Sequence, residues 1–272
     1  MNQPYVPYVP PPAEAPTKEI STLRLRDPFR WLLLGARDLM AFKAIGLFYG
    51  ACFWAMAGLL GAVFRSRPEY VMSIASGCLL VGPFMALGLY EVSRRREAGL
   101  VPEFGASLTC WRSHLGSMGM LVLVLMVLEL LWGRASLVVF AVFFDTGMPT
   151  TSSVIGAILS PQNWEFLAVY LLVGGVFAGL VFSVAVVSIP MILDRDTDAI
   201  SAAITSLQLV FGNPGVMLVW GALITVLVLL ALLPWCGGLL VVGPWLGHAS
   251  WHAYRGSVRW LGQNAVEAAA GP

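Results

Sequence analysis

The sequence predicts an all-α fold: a polytopic membrane helix bundle with six transmembrane spans. Three observations carry that prediction. The segment from Ala199 to Tyr254 runs 56 residues without an Asp, Glu, Lys or Arg, and an ionisable side chain at the bilayer centre costs several kcal/mol, so lipid is the solvent that makes such a run sensible. The composition is 58% hydrophobic and 11% charged, against roughly 25% charged in soluble domains. The basic residues are also unevenly placed. In a six-span arrangement Lys18, Arg24, Arg26, Arg30, Arg37, Lys43, Arg94, Arg95, Arg96, Arg112, Arg195, Arg255 and Arg259 fall on one side, and Arg65 and Arg67 on the other. By the positive-inside rule both termini are then cytoplasmic.

Taken in order, residues 1–27 carry Pro4, Pro7, Pro10, Pro11, Pro12 and Pro16 and no apolar run. This predicts a disordered, proline-rich cytoplasmic tail with no signal peptide. The membrane domain is expected over residues 28–256 and a short cytoplasmic tail over 257–272. Its first four apolar runs are Ala44 to Phe64, Tyr70 to Tyr90, Leu115 to Leu128 continued by Ala135 to Phe144, and Phe166 to Leu193. About 20 apolar residues cross a hydrocarbon core of about 30 Å, so these give four spans and the charge-free segment gives two more.

Each odd-numbered span is preceded by an amphipathic stretch: PFRWLLLGARDLMAFKAIG (28–46), PEFGASLTCWRSHLGSMG (102–119) and DAISAAITSLQLVFGNPG (198–215). These read as helices on the cytoplasmic surface. In the third, Asp198 or Ser201 is the N-cap and Asn213-Pro214-Gly215 the break before the bilayer. The even-numbered spans resemble one another as well. LLVGPFMALGLYEVSR (79–94) aligns with LVVGPWLGHASWHAYR (240–255), setting Pro83 on Pro244, Glu91 on His252 and Arg94 on Arg255. Three pseudo-repeated hairpins, each led by a surface helix, are expected. Gly46xxxGly50, Gly175xxxGly179 and Gly243xxxGly247 place paired glycines on single helix faces, where helices pack closely.

The sequence carries no Walker, HExxH, GxSxG or dinucleotide-binding motif, so the apparatus of the corresponding enzymes is missing and no catalytic residue is assigned. Cys52, Cys78, Cys110 and Cys236 lack CxxC spacing and read as small apolar residues. Asp145, in a single DTG triplet of the longest external loop, reads as a turn residue.

The polar residues inside the apolar runs are the candidates for function. Glu129 lies more than one turn inside the third span and needs a partner, water or a proton. Glu91 and Arg94 form a polar cluster with His252 and Arg255 at the inner ends of two spans, where a Glu91–His252 pair would respond to protons near neutrality. His248 and His252 share a helix face. They are weak metal-ligand candidates, and bis-histidine haem would also need His114 from another helix. No cofactor is predicted.

The stretches LFYGACF (47–53), LLVGPFMALGLYEVSR (79–94), ASLVVFAVFF (135–144), VVSIPMILDRDTDAISAAITSL (186–207) and VVGPWLGHASWHAYR (241–255) resemble bacterial predicted integral membrane proteins of the family called domain of unknown function 2189. The resemblance covers roughly residues 25 to 260. It implies a Gram-negative inner membrane and carries no activity to transfer.

Two functions fit. One is a transporter or permease-like conduit for a small solute, its polar path lined by Glu129, Glu91, His248 and His252. The other is a non-catalytic partner or assembly factor docking on another membrane protein or on itself. A haem- or metal-binding protein using His248 and His252 is a third. The lipid bilayer is the partner common to all of them, and no nucleic-acid partner is expected.

Overall fold

A computed structural model describes residues 18–66, 71–144, 161–233 and 235–260. Arg67, Asp145 and the proline-rich residues 1–17 lie outside the described residues. Strand β1 (Lys18–Ile20) leads to helices α1 (Asp27–Ala41), α2 (Lys43–Ser66), α3 (Val71–Glu97) and α4 (Phe104–Thr109), and a 3₁₀ turn (Cys110–His114) follows. Helices α5 (Leu115–Phe143), α6 (Trp164–Ala185), α7 (Ser188–Arg195), α8 (Ala199–Gly212), α9 (Pro214–Leu232) and α10 (Leu239–Ser257) come next, and β2 (Val258–Trp260) closes the order.

The breaks fall where local chemistry puts them. Phe42, outside helical geometry at ψ 50°, separates amphipathic α1 from apolar α2. Asp198 is the N-cap of α8, its side chain accepting from the Ser201 backbone N–H at 2.9 Å. Asn213 leaves the helix at φ −134° and Pro214 opens α9, because proline lacks the N–H that a continuing helix would require. The Asn213 side chain is held in place by the Leu23 N–H, 3.0 Å from Oδ1.

Helix α10 is the hub, packed against α1, α2, α3 and α9. Helix α3 lies between α10, α2 and α5, while α6 packs on α5 and α8. The core sits where these meet, with Trp31, Leu87, Met118, Met191, Trp220, Trp251 and Tyr254 all buried. Trp31 and Trp220 contact edge to face at 5.5 Å between ring centroids. Antiparallel β1 and β2 pair Lys18 with Trp260 and Ile20 with Val258. These two strands lie on either side of residues 28–256. The outer faces of α2, α5, α6 and α9 are apolar and exposed, as at Leu59, Leu130, Leu172 and Leu229, which suits helices whose solvent is lipid.

Four stretches of the described residues are long and apolar enough to cross a membrane: Lys43–Ser66, Phe104–Phe143, Trp164–Arg195 and Pro214–Leu232. The other two expected spans are α3 and α10, which are not among these four. In α10 the reason is composition, since His248, Trp251, His252 and Arg255 replace aliphatic residues on a helix packed against α1, α2, α3 and α9. Only protein neighbours, not lipid, tolerate that polarity.

The glycine pairs divide. A Cβ at Gly50 would stand 2.0 Å from the Leu240 carbonyl oxygen, and one at Gly243 2.7 Å from the Phe53 ring, so α2 and α10 touch almost backbone to backbone. Gly46 faces the Leu39 side chain and Gly247 the Leu89 side chain. At Gly175 and Gly179 a Cβ would meet nothing within 4 Å. Contrary to expectation, then, that pair is not a packing face among the described residues: α6 turns it outward. The closest approach of α1 to α10 instead uses Gly35, whose Cβ would lie 2.6 Å from the Ala249 nitrogen.

Candidate functional site

Every third or fourth residue of α1 turns inward: Pro28, Trp31, Leu32, Gly35 and Asp38 are buried. This periodicity delivers a carboxylate to the interior beside α10. Asp38 Oδ2 accepts from Ser93 Oγ of α3 at 2.6 Å and from His252 Nε2 of α10 at 2.9 Å. Its Oδ1 pairs with the Arg96 guanidinium. Burial alone would raise the Asp38 carboxyl, but the hydrogen bonds from His252 and Ser93 and the nearby imidazoles outweigh it and hold the group below the usual carboxylate range.

Ser93 Oγ also lies 2.8 Å from His248 Nδ1. Ser93 has one proton and donates it to Asp38, so His248 Nδ1 is the donor of the second contact and Nε2 carries the lone pair. That Nε2 is buried and has no hydrogen-bond partner among the described residues. The result is a continuous chain, His252–Asp38–Ser93–His248, running one helical turn inward from His252.

Around this chain lies a second ring of charge. Glu91, buried, takes Arg94 Nε and Arg95 Nε, each at 2.8 Å. Glu97 accepts from Trp251 Nε1 at 3.0 Å and Arg255 Nε at 3.0 Å. Asp194 of α7 accepts from the Tyr254 hydroxyl at 2.8 Å. His252 opens onto a polar cavity of about 600 Å³, whose wall includes Arg24, Arg30, Glu97, Arg255 and Arg259.

The sequence-derived candidates are thus partly gathered. His248, His252 and Arg255 converge at α10, but the expected Glu91–His252 pair is not made: Asp38 takes the imidazole and two arginines take Glu91. Glu129 is buried on the α5 face that also carries Met118, Leu121, Val122 and Leu125. That helix packs on α3, α6 and α8, whereas His248 meets Ser93 of α3 and His252 meets Asp38 of α1. His114 pairs with Asp196 at 3.0 Å, away from the paired late histidines that a haem reading invokes. Among the described residues no group of three His, Cys, Asp or Glu is arranged to hold a metal ion.

Asp38, Ser93 and Arg96 were not legible as site residues. The signal for Asp38 was its register with Trp31 and Gly35, on the buried face of an amphipathic helix where a carboxylate needs partners.

Residues 71–194 match the family model described as Predicted integral membrane protein (DUF2189). The matched segment runs from α3 to α7, so it includes Glu91, Ser93 and Arg96 but neither α1 nor α10. The stretches 79–94 and 135–144 lie inside it, and 47–53 and 241–255 outside. No curated protein and no solved structure matches the chain.

Proposed function

We propose that the protein is a conduit for a small solute across the bacterial inner membrane, with the arginine-lined cavity as its cytoplasmic vestibule. The observation that carries this reading is His252. It lines a polar cavity of about 600 Å³ on one side and, through Asp38 and Ser93, connects to a buried imidazole on the other. Deep ionisable groups are costly in a membrane, and a purely structural partner does not need them. In this reading α3 and α10 are the second and sixth spans, packed on each other and against α2, α5 and α9, and both termini lie in the cytoplasm. The three amphipathic segments α1, α4 and α8 each precede an odd-numbered span, which supports the pseudo-repeat.

The reading is tested with full-length protein in liposomes, following solute entry by stopped-flow light scattering with glycerol, urea, acetate and phosphate in turn. At least one solute enters faster than in empty liposomes, and His252→Ala or Asp38→Asn abolishes the gain. Equal rates with and without protein for all four would overturn it. Reporter fusions at the two ends test the topology separately.

A second reading, a docking partner for another membrane protein, is favoured by one feature. An apolar groove of about 500 Å³ between α6, α8 and α9 is lined by Gly179, Phe182, Phe211, Met217, Leu218 and Gly221. Co-purification of a stoichiometric membrane protein that Gly221→Leu releases, with no solute flux, would replace the conduit by this role.

A further inference from the structure

We infer that the arginine-lined cavity is a binding site for a phosphate-bearing anion, either the headgroup of an acidic phospholipid or free phosphate. The cavity presents four guanidinium groups, from Arg24, Arg30, Arg255 and Arg259, and two carboxylates, Asp27 and Glu97. Both carboxylates are already engaged. Asp27 Oδ2 accepts from the Arg24 backbone N–H at 2.7 Å, and Glu97 accepts from Trp251 and Arg255. The side chains of Arg24, Arg30 and Arg259 have no ion-pair partner among the described residues. The wall is therefore two positive charges in excess, which draws anions to it.

A second observation points the same way. The Ser21 hydroxyl oxygen, in the same wall, is buried and has no hydrogen-bond partner among the described residues. A wall that carries an unpartnered hydroxyl and several unpaired guanidinium forks suits a tetrahedral oxyanion, which accepts many hydrogen bonds and matches the planar fork in bidentate fashion. A phosphate monoester carries about −1.5 to −2 charges near neutral pH, which balances the excess. Leu25, Phe29 and Leu33 stand exposed on the same segment, where acyl chains would lie against them.

The site uses the vestibule of the conduit reading but not its transport. Binding without flux leaves the site standing and removes the conduit, and flux without phosphate binding does the reverse. The test uses the full chain in zwitterionic detergent and in phosphatidylcholine nanodiscs doped with phosphatidic acid. Bound lipid is read by native mass spectrometry, and orthophosphate binding by equilibrium dialysis. Wild-type protein retains phosphatidic acid above phosphatidylcholine, binds orthophosphate, or does both. Retention of lipid alone assigns the site to a headgroup, and binding of orthophosphate alone to the free ion.

Combining Arg30→Gln with Arg259→Gln weakens binding at least roughly tenfold, since each charge-assisted contact is worth about a factor of ten or more. The lysine pair, Arg30→Lys with Arg259→Lys, keeps the charge and loses less, which also guards against a folding defect. Arg37→Gln, on the same helix but outside the cavity, leaves binding unchanged. Neither ligand bound by wild type, or an equal loss in Arg37→Gln, would overturn the assignment.

Discussion

Replacing Gly50 by alanine tests the packing on which the site depends. The added Cβ would lie 2.0 Å from the Leu240 carbonyl oxygen, and ordinary contact begins at 3.4 Å. Helices α2 and α10 must therefore part by about 1.4 Å, or one must shift along the other, because the obstructing atom is main chain and has no rotamer to escape into. Overpacking of this kind costs about 1–3 kcal/mol, and the rigid neighbour sets it near the top of that range. Alanine's better helix propensity returns about 1 kcal/mol. The net loss is about 2 kcal/mol, or roughly a thirtyfold rise in the unfolding constant. Gly179→Ala is the internal control: its Cβ meets nothing within 4 Å, so it keeps the propensity gain and unfolds no more readily than wild type. Gly46→Ala falls between the two, because its obstacle is the mobile end of Leu39. The assay is unfolding by SDS titration of the detergent-solubilised protein, with matched size-exclusion profiles. If Gly50→Ala and Gly179→Ala unfold at the same SDS fraction, the close approach of α2 and α10 is wrong.

Asp38→Asn keeps the shape and removes the charge that His252, Ser93 and Arg96 address, so it lowers stability by about 2–3 kcal/mol in the same titration. Arg96, 39% exposed, contributes little of this. Wild-type stability is also acid-sensitive in a defined direction. The Asp38 carboxyl sits below its ordinary value, so its contribution is complete above the unfolded aspartate value of about 3.9 and is lost as pH falls below that toward the lowered folded value. In Asp38→Asn this part of the acid dependence disappears. Asp198→Ala removes the cap on α8 and costs about 1 kcal/mol, with Asp198→Asn close to wild type when both are followed by thermal unfolding.

Hydropathy revealed the class of fold because a charge-free run of this length has one physical explanation. Caps and breaks at Asp198 and Asn213-Pro214 were equally legible, being decided by residues adjacent in the chain. What could not be read was which polar groups meet. Glu91 and His252 are equivalent positions in the apparent repeat, and that equivalence suggested a pair. The contacts are decided instead by the rotation of α1 about its axis, which turns Asp38 toward α10, and by two arginines within one turn of Glu91. Rotation of this kind follows from packing at Gly35 and Ala249, residues far apart in sequence and silent by composition. The same limit explains the glycine pairs: three GxxxG spacings look alike in sequence, and only the neighbours opposite each one separate packed from open.

The arrangement of polarity also constrains how the bundle can work. The described ionic groups of α1, α3 and α10 gather at the end where α1 meets the last turns of α3 and α10, and the chain of hydrogen bonds from His252 goes one turn deeper, to His248. Its members compensate one another, so displacing one of them leaves the others without a partner. Helix α1 supplies the central carboxylate and contacts α10 through Gly35 with no side chain between them. A small slide of α1 along α10 would therefore break the Asp38–His252 and Asp38–Ser93 bonds together, while the pairing of β1 with β2 tethers α1 to the end of α10 and limits how far it can travel. The carboxylate, the strand pairing and part of the cavity wall all depend on where α1 sits against α10, so one helix position decides whether the hydrogen bonds and the cavity exist together.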